Sequence, residues 1–101
     1  MAISVVLRDG AGAELERTEH PYVPLLGKES RDIYPLLAHV DPYGNTIYNR
    51  GQMETLLVEL RQIRDTCPNL RQDRLAVIDE LQRICTEGLK KPHRFLWFIG
   101  D

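Results

Sequence analysis

Residues 46–63 read "TIYNRGQMETLLVELRQI", and the hydrophobic period changes inside this stretch. Thr46-Ile47-Tyr48 is a short β-prone run. From Met53 onward the apolar residues fall at Met53, Leu56, Leu57, Leu60 and Ile63. That i, i+3, i+4, i+7 spacing predicts a helix with one buried stripe, with Arg61, Gln62 and Asp65 off it. Asn49 stands three residues before Gln52, where the two side chains can cap each other's backbone N–H. A strand therefore passes almost directly into a helix. Pro68 ends that helix, because the residue before a proline is pushed out of helical geometry.

A second helix repeats the device. Asn69 precedes Gln72 by three, and Leu75, Ile78, Leu81, Cys85 and Leu89 form a stripe widened by Val77 and Ile84. Asp79 and Arg83 have the spacing of an i,i+4 ion pair. Gly88 is expected to stop the helix, with Lys90, Lys91 and Pro92 at its exit.

The flanking segments read as strands. Ile3, Val5 and Leu7 alternate with Ser4, Val6 and Arg8. Asp9-Gly10-Ala11-Gly12 is a turn, and Ala13 to Thr18 alternates again, so a hairpin is expected. Its second strand would turn Glu14 and Glu16 to water and discourage edge pairing. Phe95-Leu96-Trp97-Phe98-Ile99 is apolar on both faces, which predicts a central strand. Helices would cover one side of it, and the long loop or a partner the other. Residues 19–45, broken by Pro21, Pro24, Pro35 and Pro42, are the least regular part. Leu25, Leu26, Leu36 and Leu37 are expected to pack part of this loop on the core. Ile33, Leu36, Leu37 and Val40 could form a helical turn or a flap. The order β-β-(loop)-β-α-α-β predicts one α+β domain over residues 1–101. It would have two layers: a mixed or antiparallel sheet of about four strands and a helical hairpin.

The totals narrow the function. At 101 residues there is room for one modest core. The formal net charge is -2, with thirteen Lys/Arg against fifteen Asp/Glu. Phosphate contacts need a basic surface, so nucleic-acid binding is not expected. The apolar run at the N-terminus stops at Arg8 and lacks a basic region, so no signal peptide is read. No stretch approaches a spanning helix, so no membrane partner is expected. Cys67 and Cys85 belong to no CxxC motif and read as reduced cysteines of a cytoplasmic protein. A disulfide between neighbouring helices is the alternative.

Chemical motifs are sparse. Ser4 and Ser30 have no nucleophile elbow, and no cysteine sits near a histidine in sequence. His39 and Asp41 form an HxD pair that His20, His93 and Asp101 could join in space. No HExxH, CxxC or calcium-loop spacing accompanies them, so neither a metal nor another cofactor is expected. Arg50 and Gly51 fall in a first helical turn, where free N–H groups and an arginine could meet an anion. Arg50 as a solvated residue explains the same pattern. The basic run Arg83, Lys90, Lys91, His93 and Arg94 is explained by charge at a helix C-terminus.

The stretch His39–Gln52 holds the remaining candidates. Asp41-Pro42-Tyr43-Gly44 is turn chemistry: Asp to bond the backbone, Pro to preset φ, Gly to close. Tyr43 and Arg50 are residue types favoured at protein interfaces. The binding candidates are therefore His39, Asp41, Tyr43 and Arg50, with no catalytic residue assigned.

Asp41-Pro42-Tyr43-Gly44, then Thr46, Tyr48-Asn49 and Gln52, with the closing Gly100-Asp101, resembles a group of small uncharacterised bacterial proteins. That resemblance covers mainly residues 35–60 and the last strand. It implies a bacterial single-domain protein and transfers no catalytic residues.

The expected function is a non-catalytic protein-interaction module, such as a bacterial immunity-type inhibitor that binds and blocks a toxin or another protein. Asp9, Glu14, Glu16, Glu19, Glu29 and Asp32 could complement a basic partner and speed association. The alternative is a small-molecule or anion-binding, or enzymatic, domain with its site at the residue 39–52 corner. A homodimer through the open side of the last strand is a third possibility.

Overall fold

A computed structural model describes residues 3–18, 22, 34–66 and 72–100. The fold is α+β: a four-stranded antiparallel sheet with helices on one face. Strands β1 (Ser4–Asp9) and β2 (Glu14–Arg17) form the expected hairpin. Helix α1 (Pro35–Ala38) is a single turn, followed by β3 (Asn45–Tyr48), α2 (Arg50–Thr66), α3 (Gln72–Leu89) and β4 (Arg94–Ile99). The sheet order is β2-β1-β4-β3. All three ladders are antiparallel, and β4 is central as its two apolar faces require.

The core lies between the sheet and the helices. Val5 and Leu7 of β1 pair with Phe98 and Leu96 of β4, and these four residues face the helices. Met53, Leu56, Leu60 and Ile63 meet them from α2. Ile78, Leu81, Ile84 and Cys85 meet them from α3. Tyr22 and Tyr48 each set an edge against the Phe98 ring at centroid distances of 5.2 and 5.6 Å. Such edge-to-face pairs suit the ring quadrupole.

Asn49 caps α2 as its spacing predicts. Its Oδ1 accepts from Gln52 N–H, and the Gln52 Oε1 accepts from Asn49 N–H, both at 2.9 Å. The matching cap at Asn69 lies outside the described residues, as do Leu25, Leu26 and Cys67.

Three expectations are corrected. Gly88 does not stop α3 but lies inside it, buried. A Cβ there would fall 2.6 Å from Met53 Sδ and 3.0 Å from Leu7 Cδ1. Glycine is needed for close approach, because α3 crosses β1 and α2 at this point. Asp79 pairs across helices with Arg64 at 2.6 Å, while Arg83 pairs with Glu16 at 2.9 Å and with Glu80. Arg64 takes Asp79 across the helices, and Arg83 turns instead to Glu16 of β2 and to Glu80 one i,i+3 step back in α3. Finally, the two glutamates of β2 do not share one face. The β1–β2 register shifts between Leu7 and Arg8, so Glu16 opposes Leu7 and Glu14 opposes Arg8. This bulge leaves Leu15 without a cross-strand partner, 41% exposed.

Candidate functional site

Two surfaces have the residue types of a binding site: the corner before and after β3, and the sheet face opposite the helices.

At the corner, the Asp41 Oδ1 accepts from Tyr43 N–H at 2.9 Å, the side-chain turn that Asp-Pro-x-Gly predicts. Asp41 N–H donates to Thr46 Oγ1, and the Gly100 N–H donates to the Gly44 carbonyl, each at 2.9 Å. The end of the last strand is thereby locked against the turn. Tyr43 projects outward, 71% exposed. His39 closes α1 and is exposed. Arg50, also exposed, donates from Nη1 to the Lys91 carbonyl at 3.2 Å, tying the start of α2 to the α3–β4 connection.

Asp41 and Tyr43 stand apart from Arg50 along β3. Asn45 pairs with Ile99 and Tyr48 with Leu96, so β3 holds Asp41 and Tyr43 at one end of the sheet and Arg50 at the other. Among the described residues, no group of three or more His, Cys, Asp and Glu is placed to hold a metal ion.

Beside this corner lies a buried carboxylate that periodicity could not mark as special. Glu59 of α2 is 3% exposed. Its two oxygens accept from Leu36 N–H at 3.2 Å and Leu37 N–H at 3.1 Å. It caps α1 from a different helix, where Tyr34 makes no side-chain cap. The Tyr48 hydroxyl donates to the Leu36 carbonyl. Burial raises the Tyr48 pKa, and the nearby Tyr22 and Glu59 add to the shift. The only sequence signal for Glu59 is an acid flanked by Val58 and Leu60.

The sheet face opposite the helices is built by strand alternation. Val6 and Arg8 of β1, Phe95, Trp97 and Ile99 of β4, and Ile47 of β3 share it by register. Ile47 is 46% exposed, Phe95, Trp97 and Ile99 are half-buried, and Val6 is fully buried. The Arg8 guanidinium lies over the Trp97 ring, 4.6 Å from its centroid. That is within cation–π range. Arg17 and Glu14 of β2 pair with each other at 2.9 Å at the rim. Two arginines and one glutamate thus border an apolar centre.

Of the six acidic residues expected to face a partner, the three described ones are engaged within the chain. Glu14 is bound to Arg17 and Glu16 to Arg83. Asp9 Oδ1 accepts from the N–H groups of Ala11 and Ala13. The hydrogen bond from Arg17 holds the Glu14 pKa below the usual carboxylate value. Glu19, Glu29 and Asp32 lie outside the described residues.

No helix among the described residues is long and apolar enough to cross a membrane. Set against protein-family models, curated proteins and solved structures, the chain matches none of them.

Proposed function

We propose that this chain is a non-catalytic protein-interaction module, and that its docking surface is the part of the sheet face opposite the helices around Arg8, Trp97 and Ile47. The observation carrying this reading is the Arg8–Trp97 stack within the apolar patch of Ile47, Phe95 and Ile99. Tryptophan and arginine dominate the energetic centres of protein interfaces, because each covers a large area while keeping a polar contact. Among the described residues, this face carries one more positive than negative side chain (Arg8, Arg17, Glu14). The occupant that fits is a protein with an apolar projection and a carboxylate that meets Arg8. Single-stranded nucleic acid fits less well, since Arg8 already covers the Trp97 ring and the chain is acidic overall. An immunity-type inhibitor acts by such docking, and blocking a toxin-like protein of bacterial origin is the role we infer.

The test is titration calorimetry against the product of the neighbouring gene. Arg8→Glu is expected to weaken binding by roughly 30-fold or more, the loss of about 2 kcal/mol that defines an interface centre. Its melting temperature should stay within a few degrees of the parent's. Trp97→Ala should weaken binding at least as much. Binding that survives both changes, or no binding by the parent, overturns the proposal.

A further inference from the structure

Two arginines and one glutamate border the docking face, and the β2 bulge is what brings them together. Arg17 opposes Val6 and Glu16 opposes Leu7. Plain alternation from there would set Leu15 opposite Arg8 and leave Glu14 beside Glu16 on the helix side of the sheet. Glu16 does face that side, where it bonds Arg83 of α3. The register shift instead sets Glu14 opposite Arg8. Cross-strand partners point to the same face, so one extra residue turns the Glu14 carboxylate over to the side of Arg8 and Arg17.

On that side Glu14 is gripped by a forked donor. Arg17 donates from Nη2 to Oε1 at 2.9 Å and from Nε to Oε2 at 3.4 Å. Residues three apart in a regular strand lie on opposite faces, so the bulge is what allows this pair. Arg8 flanks it from β1, with its guanidinium over Trp97. Stacking uses the flat face of a guanidinium and leaves the edge N–H groups to bond. The hydrogen bond from Arg17 is the largest cause holding the Glu14 pKa below the usual carboxylate value, and the charges of Arg17 and Arg8 add to it.

We infer that Arg8 and Arg17 form a carboxylate clamp on the docking face, and that Glu14 is its resident occupant, displaced when an acidic side chain of the partner protein docks. This rests on the reading of that face as a protein-binding surface, and adds Arg17 and Glu14 to it. The chemistry of the incoming group follows from the resident, because the clamp already holds a carboxylate. Two cations around one anion leave a net attraction for a second anion. The resident is easily moved: the Arg17 and Glu14 side chains are 53% and 46% exposed, and ion pairs in water contribute little. The same bond closed under a partner is shielded from water and stronger. A partner without a carboxylate gains nothing from the clamp, so Glu14 sets selectivity as well as affinity.

The test uses a capped tripeptide, acetyl-Leu-Glu-Leu-amide, with acetyl-Leu-Gln-Leu-amide as its neutral match. Binding is followed by the arginine Nε–Hε signals in NMR up to about 20 mM peptide, which covers the weak affinity of so short a ligand. The Glu peptide should shift the signals of both Arg8 and Arg17. The Gln peptide should bind about fivefold more weakly or worse. Glu14→Gln should tighten the Glu peptide by about threefold or more, since no carboxylate has to leave. Arg17→Gln should weaken it by about fivefold or more. Glu16→Gln removes the same charge from the helix side and should leave binding unchanged. All three substitutions are at exposed side chains and should keep the melting temperature within a few degrees of the parent's.

No shift at the highest concentration, or equal binding of the two peptides, overturns the clamp. Weaker binding of the Glu peptide by Glu14→Gln overturns it too, because Glu14 would then be helping rather than competing. So does an equal gain in Glu14→Gln and Glu16→Gln, which net charge alone would explain. These readings need no natural partner. Binding of the Glu peptide together with failure of the neighbouring gene product to bind would support the clamp and overturn the partner reading.

Discussion

Gly100 shows how one residue can be set by a contact distant in sequence. A Cβ at this position would lie 2.5 Å from the Pro42 carbonyl oxygen and 2.8 Å from that of Asp41. Both are backbone atoms and cannot swing aside. Gly100→Ala must therefore push the end of β4 off the turn and break the bond to Gly44. We expect a loss of about 1–2 kcal/mol, in the range of one hydrogen bond plus local overpacking. Urea unfolding measures it, and faster exchange of the Gly100 amide would place it. An unchanged midpoint would show that the turn yields. The Asp-Pro-Tyr-Gly turn and Gly100 touch, a contact that neither segment announces on its own.

At the level of elements, the helices were legible and the sheet's irregularities were not. Period marked α2 and most of α3, and capping marked the start of α2, since both signals are local. The bulge in β2 left no such mark, because alternation continues through Leu15 while the pairing shifts. Helix α1 depends on a residue far along the chain. With Glu59 replaced by Leu, the N–H groups of Leu36 and Leu37 lose their acceptor in a part-buried site. We expect Glu59→Leu to cost about 2–4 kcal/mol, the penalty of stranded donors. Glu59→Gln keeps one acceptor oxygen and should cost less. Equal stability of parent and Glu59→Leu would mean that α1 contributes nothing to the fold.

For the molecule as a whole, two core groups resist losing a proton. Burial pushes the Cys85 thiol up to about 12 from a reference of 9.0. It also raises Tyr48 above its reference of 10.0. In the unfolded chain these groups ionise near their reference values, while the folded protein keeps them neutral. Their contribution to stability is intact below pH 9 and is lost as pH rises toward 12. Each adds a slope of about 1.4 kcal/mol per pH unit once its unfolded form is ionised. Cys85→Ala should remove one such increment between pH 9 and 12, read from urea midpoints across that range. A slope unchanged by this substitution would show that the thiol ionises in the folded state.

The sequence by itself determined the class of the fold, the central place of β4, the α2 cap and the turn at Asp41. Each rests on near neighbours: a hydrophobic period, a side chain bonding the backbone a few residues away, or a run apolar on both faces. Tertiary structure decided what depends on distance in the chain. It separated Asp41 and Tyr43 from Arg50 by the length of β3, assigned Arg83 to Glu16, and buried Gly88 against Met53. It also brought Arg8 over Trp97, because ladder register sets the neighbours across strands and no period in a single segment encodes that register.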